Sequence, residues 1–262
     1  MCKQLIVTNR KNTMIEKVSK TIRLLKSKPL SILNQTLSMI KRHKAKRSYS
    51  QCGEDLIVDF VFNDLKINDP TYVDIGAHHP KYLSNTHFFY TKGCHGICIE
   101  PDPYLFKKIK KQRTRDICLN LGIGINQEKS ADLYIMTTRT LNTFSKSEAE
   151  RYQSYGSEKI EKTIKMPLEN INDIINRHCK IKPNFISLDI EGLDFDIIKT
   201  FDFSTCKPEV FCIETITYTE NKTEEKIESI IDFMKNKNYF VYADTYINTI
   251  FVNIDSWKNR PL

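Results

Sequence analysis

The sequence predicts an α/β fold, with a mostly parallel, doubly wound sheet, helices on both faces and an antiparallel edge strand. From Tyr72 onward, short apolar runs alternate with amphipathic stretches, as in strand–helix–strand units. Several of these runs end in a carboxylate, as strands often do at the edge of an open sheet that binds ligands. The last two apolar runs, 239–242 and 249–253, are close together and favour a closing hairpin at an antiparallel edge.

The first half of the predicted sheet contains three apolar runs, which we interpret as strands: 73–75, 97–99 and 117–119. Helices are predicted between them, over 85–91 and from Pro103, a residue suited to the first turn of a helix. The segment 120–124 contains two glycines and is expected to return flexible backbone to the ligand-binding edge.

The second half begins with the least regular part of the chain, residues 131–167, which is expected to shape an acceptor pocket. Its predicted elements are a strand at 133–136, a Thr/Ser-rich loop at 137–147, a polar helix through Tyr155 and a strand at 163–166. The elements predicted after it are a helix at 168–177, strands at 185–189 and 210–213, and a helix at 224–235.

Charge divides the chain into a basic arm, residues 1–47, and a domain, residues 48–262. The arm has thirteen Lys and Arg and one acid, a net charge of +12, which leaves −4 for the domain. Apolar residues at helical spacing predict that the arm is partly helical. Such a segment can lie on an anionic membrane surface, and a solvated or core-packed helix pair is the alternative.

Composition excludes several classes of protein. The 40% hydrophobic and 27% charged residues are typical of a globular protein. Aromatic residues do not interleave the basic run, so we expect no nucleic-acid partner. No apolar run approaches about 18 residues and no signal peptide is evident, so we expect a cytoplasmic protein with peripheral contact, through the arm, to the inner face of a membrane.

The eight cysteines do not predict a metal site. They show no C-x-x-C pairing, and several lie in apolar runs, which is typical of buried thiols in a reducing compartment. Cys94 and Cys98 have the wrong spacing and too few partners to hold a structural metal. We therefore predict no metal ligands.

A glycine turn and a later acid predict a nucleotide site. The first strand ends at Asp74 and turns through Gly76, and Glu100 ends the second strand twenty-four residues later, about the spacing of an acid that binds a ribose diol. A dinucleotide fingerprint needs glycines where this chain has His78 and Lys81, so a diphosphate fits poorly. S-adenosylmethionine has the ribose and no phosphate, and is favoured over a nicotinamide cofactor.

Taken together, these motifs resemble the FkbM family of S-adenosylmethionine-dependent methyltransferases over roughly residues 49–252. The matching segments are 49–55 (YSQCGED), 73–80 (VDIGAHHP), 84–86 (SNT), 99–102 (IEPD) and 188–193 (LDIEGL). Each motif is weak alone, and their order and spacing make the resemblance specific. One departure is His78, at a position where many methyltransferases carry Asn.

The resemblance implies a Rossmann-like class I methyltransferase fold, S-adenosylmethionine as cofactor, and a set of cofactor-binding residues. Asp74 and Gly76 would hold the methionine portion, Glu100 the ribose diol, and Asp102 or Asn120 the adenine. Ala77, Asn85 and Gln51 complete the predicted set, with Gln51 and Asp55 closing over the cofactor. The alternative for Gln51 and Asp55 is the start of a surface helix. Turn formation and helix capping are the alternatives for Asp102 and Asn120.

The expected catalytic residues are carboxylates at a later strand end. Asp189 and Glu191 lie two residues apart, where acceptor and methyl group would meet, and either can act as general base or orient the acceptor. Glu214 is the reserve candidate, and His78 is a further proton acceptor. The alternative for Asp189 is that it caps the following helix.

These expectations predict an O-methyltransferase that acts on a hydroxyl of a sugar, glycan or secondary metabolite, a class of acceptor to which the resemblance points. The enzymatic alternative is N-methylation of an amine or amide, which needs less help from a base. The non-enzymatic alternative is a degenerate methyltransferase fold that serves as a binding module at a membrane.

Overall fold

The computed structural model describes residues 46–217 and 224–261. The basic arm and the membrane contact predicted for it therefore lie outside the described residues, except for Lys46 and Arg47, and stay predictions. Within the described ranges, no helix combines the length and the hydrophobicity needed to cross a membrane.

Ten strands occur in the described residues: β1 (Tyr72–Ile75), β2 (Gly96–Ile99), β3 (Ile117–Leu119), β4 (Gly122–Ile123), β5 (Ser130–Met136), β6 (Ile160–Glu169), β7 (Phe185–Leu188), β8 (Val210–Glu214), β9 (Tyr239–Asp244) and β10 (Asn248–Asn253). The α-helices there are α1 (Glu54–Asp64), α2 (His87–Thr91), α3 (Pro103–Gln112), α4 (Lys146–Ser154), α5 (Ile171–His178), α6 (Asp194–Thr200), α7 (Glu228–Asn236) and α8 (Ile254–Lys258). A 3-10 turn covers Arg139–Leu141.

Seven strands form the main sheet in the order β3-β2-β1-β7-β8-β10-β9. The first five are parallel, and β10 is antiparallel to both β8 and β9. The predicted parallel sheet with an antiparallel edge is therefore confirmed. The chain builds outward from β1 to β3 and then returns to β7 on the other side of β1, so strand order reverses between β1 and β7, where open α/β sheets bind ligands.

Helices cover both faces of this sheet. One face packs against α5, α6 and α7 through residues such as Ile174, Ile198 and Met234. The other packs against α1 and α2 through residues such as Val61 and Phe89. Because β1, β7 and β8 are buried along their whole lengths, the middle of the sheet is a rigid support for the loops at its carboxyl edge.

The irregular segment forms a small second sheet, in which β6 pairs antiparallel with β5 and parallel with β4. Both predicted strands in this segment are longer than expected. The next helix begins at Ile171 rather than 168, because β6 continues to Glu169 and the Asn170 side chain caps α5 by accepting a hydrogen bond from the Asn172 backbone N–H. This sheet stands beside the carboxyl edge of the main sheet and closes one side of the site.

Two further boundaries differ from prediction. The α2 helix begins at His87 rather than 85, because the Thr86 hydroxyl binds Asp74. The α7 helix begins at Glu228 rather than 224, because Lys226 pairs with Ile216 in an antiparallel bridge. The α8 helix was not predicted as an element, and α1 corresponds to the surface helix that is the alternative explanation for Gln51 and Asp55.

Candidate active site

The turn after β1 requires a glycine for two reasons. Gly76 has a φ of +80°, and a Cβ atom there would lie 1.8 Å from the backbone oxygen of Asp189. The backbone N–H groups of Gly76 and Ala77 both donate to the Ile99 carbonyl, each at 3.1 Å. The ends of β1, β2 and β7 are therefore locked together at the point where strand order reverses.

Glu100, at the end of β2, is a buried carboxyl group held in a fixed orientation. One of its oxygens accepts the His78 backbone N–H at 2.8 Å, and the other accepts the Asp102 backbone N–H at 2.8 Å. Burial, reinforced by the nearby carboxylates Asp102 and Asp74, raises the pKa of Glu100 to about 8, although the two N–H donors act in the opposite direction. The group is thus positioned before any ligand binds.

Glu100 faces a cavity of about 590 Å³, which we call the apolar cavity. Its apolar walls include Ile75, Ile99, Leu105, Leu121, Ile123 and Phe144. The mixture of apolar walls with a few fixed polar groups is typical of a small-molecule site. An adenosyl group fits this environment, since apolar walls suit an adenine ring and a carboxylate suits a ribose diol.

A second cavity of about 1,110 Å³, which we call the acidic cavity, adjoins the first. Residues that line both cavities are Gly76, His78, Thr140, Asp189 and Glu191. The acidic cavity adds Glu214, Glu224 and Gln51, with apolar contacts from residues such as Ile216. The two cavities therefore meet at the ends of β1 and β7, and a group bound in one can reach a group bound in the other.

Three carboxylates form what we call the acid cluster: Asp189, Glu191 and Glu214. One oxygen from each lies within 4.8 Å of the others. Burial and the neighbouring carboxylates raise the pKa of Asp189 to about 6 and hold the pKa values of Glu191 and Glu214 well above their ordinary range. The Tyr152 hydroxyl donates to Glu191 at 3.0 Å. The three acids therefore repel one another when they are ionised.

Unusual backbone conformations concentrate around the acidic cavity. Six described non-glycine residues have a positive φ, and four of them line this cavity: His78 (48°), Leu83 (54°), Glu191 (55°) and Tyr246 (75°). Each such residue costs of order 1 kcal/mol or more and persists only where surrounding contacts hold it. Such residues cluster at functional sites, so this pattern marks the acidic cavity independently of its charge.

His78 lies at the boundary of the two cavities. Burial, helped by the nearby His79 and Lys108, lowers the pKa of its imidazole below the usual value. The ring is therefore neutral at neutral pH and has a nitrogen that can accept a proton.

Several predicted site residues do line the cavities. Gly76, His78, Glu100, Asp189 and Glu191 line the apolar cavity, as expected for residues at the shared edge. Gln51 lines the acidic cavity instead of the apolar one. The strand-end residues therefore lie together at one cavity, whereas Gln51 lies at the acidic cavity and not at the cavity that contains Glu100. Asp55 does not line either cavity, because its carboxylate accepts the Ser48 hydroxyl and the Tyr49 N–H, both at 2.7 Å.

Asp74 and Asn85 lie beneath the cavity floor. The Asp74 carboxylate accepts a hydrogen bond from Thr86, and burial raises its pKa. The Asn85 amide donates to the Ser187 hydroxyl at 3.1 Å. Neither residue is among those that line the apolar cavity, and the same is true of Ala77, which packs in a small core cluster. These residues support the glycine turn from below.

Asp102 and Asn120 are occupied by local structure. Asp102 caps α3 by accepting the Tyr104 N–H at 2.8 Å, and its other oxygen pairs with Arg139. The Asn120 amide donates to the carbonyls of Glu100 and Pro101, at 2.8 and 2.9 Å. Neither lines the apolar cavity, so the capping alternative describes Asp102, and Asn120 instead braces the loop that carries Glu100.

The sequence interpretation missed residues that reach the site from the irregular segment. Arg139, Asn142 and Phe144 line the apolar cavity, although this segment was expected to shape only the acceptor side. Tyr246, from the β9–β10 turn, lines the acidic cavity. No spacing rule connects these residues to the strand ends, and the only available signal was the polar, irregular character of the segment itself.

The sheet order and the antiparallel final strands are those of the class I methyltransferase fold. The particular family follows from the sequence profile of the methyltransferase FkbM domain, which matches residues 74–241, more than half of the chain. The protein belongs to the FkbM methyltransferase family, which confirms the predicted resemblance.

The chain is also similar to solved structures that are distant from it in sequence. An O-methyltransferase from Bacillus cereus in complex with SAH is 9% identical, with 90% of this chain and 96% of that chain covered and a TM-score of 0.38. A TehB-like SAM-dependent methyltransferase from Corynebacterium glutamicum is 7% identical, with 86% and 100% covered and a TM-score of 0.41. A 1,6-didemethyltoxoflavin-N1-methyltransferase from Burkholderia thailandensis is 7% identical, with 79% and 91% covered and a TM-score of 0.35. No curated protein sequence matches the chain significantly.

Proposed function

We propose that the protein transfers a methyl group from S-adenosylmethionine to a hydroxyl oxygen of a sugar, glycan or related small metabolite. The observation that carries this proposal is the junction of the two cavities. One cavity presents a fixed carboxylate among apolar walls, and the other presents an acid cluster. Donor and acceptor bound on either side of Gly76 would meet at that junction.

The cofactor would occupy the apolar cavity. Each Glu100 oxygen accepts one backbone N–H and retains the capacity to accept a second donor, which suits two neighbouring ribose hydroxyls. The aliphatic walls would enclose the adenine. Gly76 and His78, at the junction, would lie against the methionine end. When bound, S-adenosylmethionine supplies a methyl group that is electrophilic because it is bonded to a sulfonium.

The work left to the protein is to align the acceptor and to take its proton. Asp189, Glu191 and His78 lie at the junction and are the candidate proton acceptors, because burial makes each carboxylate more basic when it is ionised and keeps the imidazole neutral. This concentration of proton acceptors favours a hydroxyl acceptor. An amine that is already neutral would not need it.

The proposed reaction is tested by methyl transfer from isotope-labelled S-adenosylmethionine onto extracted cell-surface glycans and small metabolites, with mass spectrometry of the labelled products. Label on an ether oxygen that resists mild base supports the proposal. Label on nitrogen would instead establish the N-methyltransferase alternative. Heat of S-adenosylmethionine binding without any labelled product across all fractions would count against the proposed acceptor class. No heat of binding would indicate a degenerate binding module.

A further inference from the structure

We propose that Asp189, Glu191 and Glu214 bind a divalent cation of the magnesium or manganese class, and that this cation holds the oxygen atoms of the acceptor. The three side chains come from two neighbouring strands: Asp189 and Glu191 follow β7, and Glu214 ends β8. Because β7 and β8 are parallel and paired in register, their carboxyl ends bring the three groups to one place.

The geometry suits a hard cation. The three ligand oxygens all lie within 4.8 Å of one another. Oxygen ligands on opposite sides of a bound divalent cation are separated by about 4 to 5 Å, given metal–oxygen distances of about 2.0 to 2.6 Å. The oxygens can therefore approach one cation with little movement. A donor set made only of carboxylate oxygens selects magnesium, manganese or calcium over zinc or copper.

A second observation concerns Glu214 itself. This residue is only 9% exposed, yet its carboxylate accepts no hydrogen bond from the described residues. Glu214 lines the acidic cavity and also a neighbouring cavity that is lined by Arg151. Buried charged groups are normally paired or bound to a metal, so an unpartnered buried carboxylate that faces a cavity indicates a missing positive ligand.

The side chains described around the acid cluster do not supply that positive charge. Among the described residues that line the acidic cavity there is neither lysine nor arginine. Arg151, in the neighbouring cavity, is paired with Glu148 and donates to the Tyr155 hydroxyl at 2.7 Å. Arg139, across the junction, is paired with Asp102. These two guanidinium groups are therefore engaged elsewhere.

The cation would serve the acceptor side of the reaction, and this part of the inference rests on the proposed function. Three protein ligands leave coordination positions open toward the acidic cavity, where vicinal hydroxyls of a sugar or a similar diol can bind as a pair. A hydroxyl bound to a divalent cation loses its proton more readily, and the same contact fixes its position beside the junction. With Asp189 and Glu191 bound to the cation, the imidazole of His78 at the junction would take that proton. The inferred acceptor is thus one that offers two adjacent oxygen atoms.

The test is a titration of the whole chain, stripped of metal with a chelator, with Mn²⁺ alone, in which free Mn²⁺ is counted by electron paramagnetic resonance. We expect one Mn²⁺ bound per chain and displaced by Mg²⁺. Glu214→Gln and Asp189→Asn should each weaken binding at least tenfold, because each removes one of three charged ligands. Glu150→Gln, which changes a carboxylate that is 61% exposed on α4, should leave Mn²⁺ binding unchanged.

Both amide variants should fold, because they keep the shape of the side chain and remove a buried negative charge. Circular dichroism checks that the variants fold. Calorimetric titration with S-adenosylmethionine separates the cation site from the proposed methyl transfer, because cofactor binding is expected to depend on Glu100 and not on Glu214. Absence of bound Mn²⁺, or equal Mn²⁺ affinity in wild type, Glu214→Gln and Asp189→Asn, would overturn the cation site while leaving the proposed methyl transfer standing. If the wild type binds Mn²⁺ but does not bind S-adenosylmethionine, the proposed methyl transfer is overturned and the cation site stands.

Discussion

The two cavities at the edge of the sheet are built in different ways. In the apolar cavity, Glu100 is held by two backbone N–H groups and surrounded by strand residues. In the acidic cavity, Glu214 has no hydrogen-bond partner among the described residues, and four lining residues have left-handed backbone. In the apolar cavity the carboxyl group is already held by hydrogen bonds before a ligand binds. In the acidic cavity the Glu214 carboxyl group is still able to accept hydrogen bonds or to bind a cation. A preformed cavity suits a cofactor that always binds in the same way, and a cavity with free polar groups suits a polar acceptor.

The largest effect is expected on the acidic side. Glu191→Gln removes a carboxylate at the junction that can accept the acceptor proton or orient the acceptor, so the rate of methyl transfer should fall about 1,000-fold. Affinity for S-adenosylmethionine should fall no more than a few-fold, because the contact matters mainly during the reaction. Single-turnover transfer of labelled methyl, compared with calorimetric titration, measures the two quantities.

Glu150→Gln is the matched control for that variant, since it makes the same change on the exposed surface of α4. It should leave both the rate and the affinity unchanged. If Glu191→Gln instead loses affinity as much as rate, Glu191 belongs to the cofactor side, and the division between the cavities is wrong.

The next effect tests the glycine turn that joins the two cavities. Gly76→Ala should lower the free energy of unfolding by about 3 kcal/mol, because the residue has a positive φ and its new Cβ would collide with the Asp189 backbone. Gly53→Ala is the control, since Gly53 also has a positive φ but a Cβ atom added there would have no neighbour within 4 Å. It should cost only about 1 kcal/mol. Urea denaturation measures both, and equal losses would show that the contact with Asp189 is not close.

The part of the site that the sequence predicted consists of residues at the ends of apolar strands. Gly76, Glu100 and Asp189 follow apolar strands directly, so the periodicity that predicts the strands also places these residues at one edge. Asp102 and Asn120 occupy equivalent positions and were predicted beside the adenine. In the structure, nearby donors and acceptors engage them first: the Tyr104 N–H for Asp102 and two carbonyls for Asn120. Position at a strand end therefore does not decide whether a polar side chain faces the ligand or its own loop.

The site residues that the sequence did not predict reach the site through contacts between segments that are far apart along the chain. Phe144 reaches the apolar cavity only because the β5–β6 sheet folds beside the main sheet. Glu54, in the opening motif, accepts hydrogen bonds from Thr245 at 2.7 Å and from Asn248 at 3.2 Å, which ties α1 to the β9–β10 hairpin. These contacts join segments up to 194 positions apart. Spacing along the chain does not encode them.

A smaller effect is expected on the cofactor side. Glu100→Ala should weaken S-adenosylmethionine binding about tenfold or more, because it removes both carboxyl oxygens that would bind the ribose hydroxyls. Glu150→Ala is the control and should bind as the wild type does. Calorimetric titration provides the comparison, and unchanged affinity in Glu100→Ala would show that the ribose does not contact Glu100.

The smallest effect follows from the proton on Glu100 in the cofactor-free protein. Burial raises the pKa of Glu100 in the folded state to about 8, from an ordinary value of 4.5. Between these values the folded chain holds a proton that the unfolded chain has released, so the stability that this group contributes is present at low pH and is lost as the pH rises toward and through 8. The melting temperature should therefore fall between about pH 6 and about pH 8.5.

Glu100→Gln cannot titrate and isolates this contribution from that of the acid cluster, whose raised pKa values act in the same direction. Its melting temperature should fall less than that of the wild type across the same interval, as measured by scanning calorimetry without cofactor. Parallel profiles for the two proteins would mean that Glu100 is already ionised at the acidic end of that interval. In that case the two backbone N–H groups outweigh burial, and the apolar cavity presents a carboxylate to the ribose throughout the physiological range.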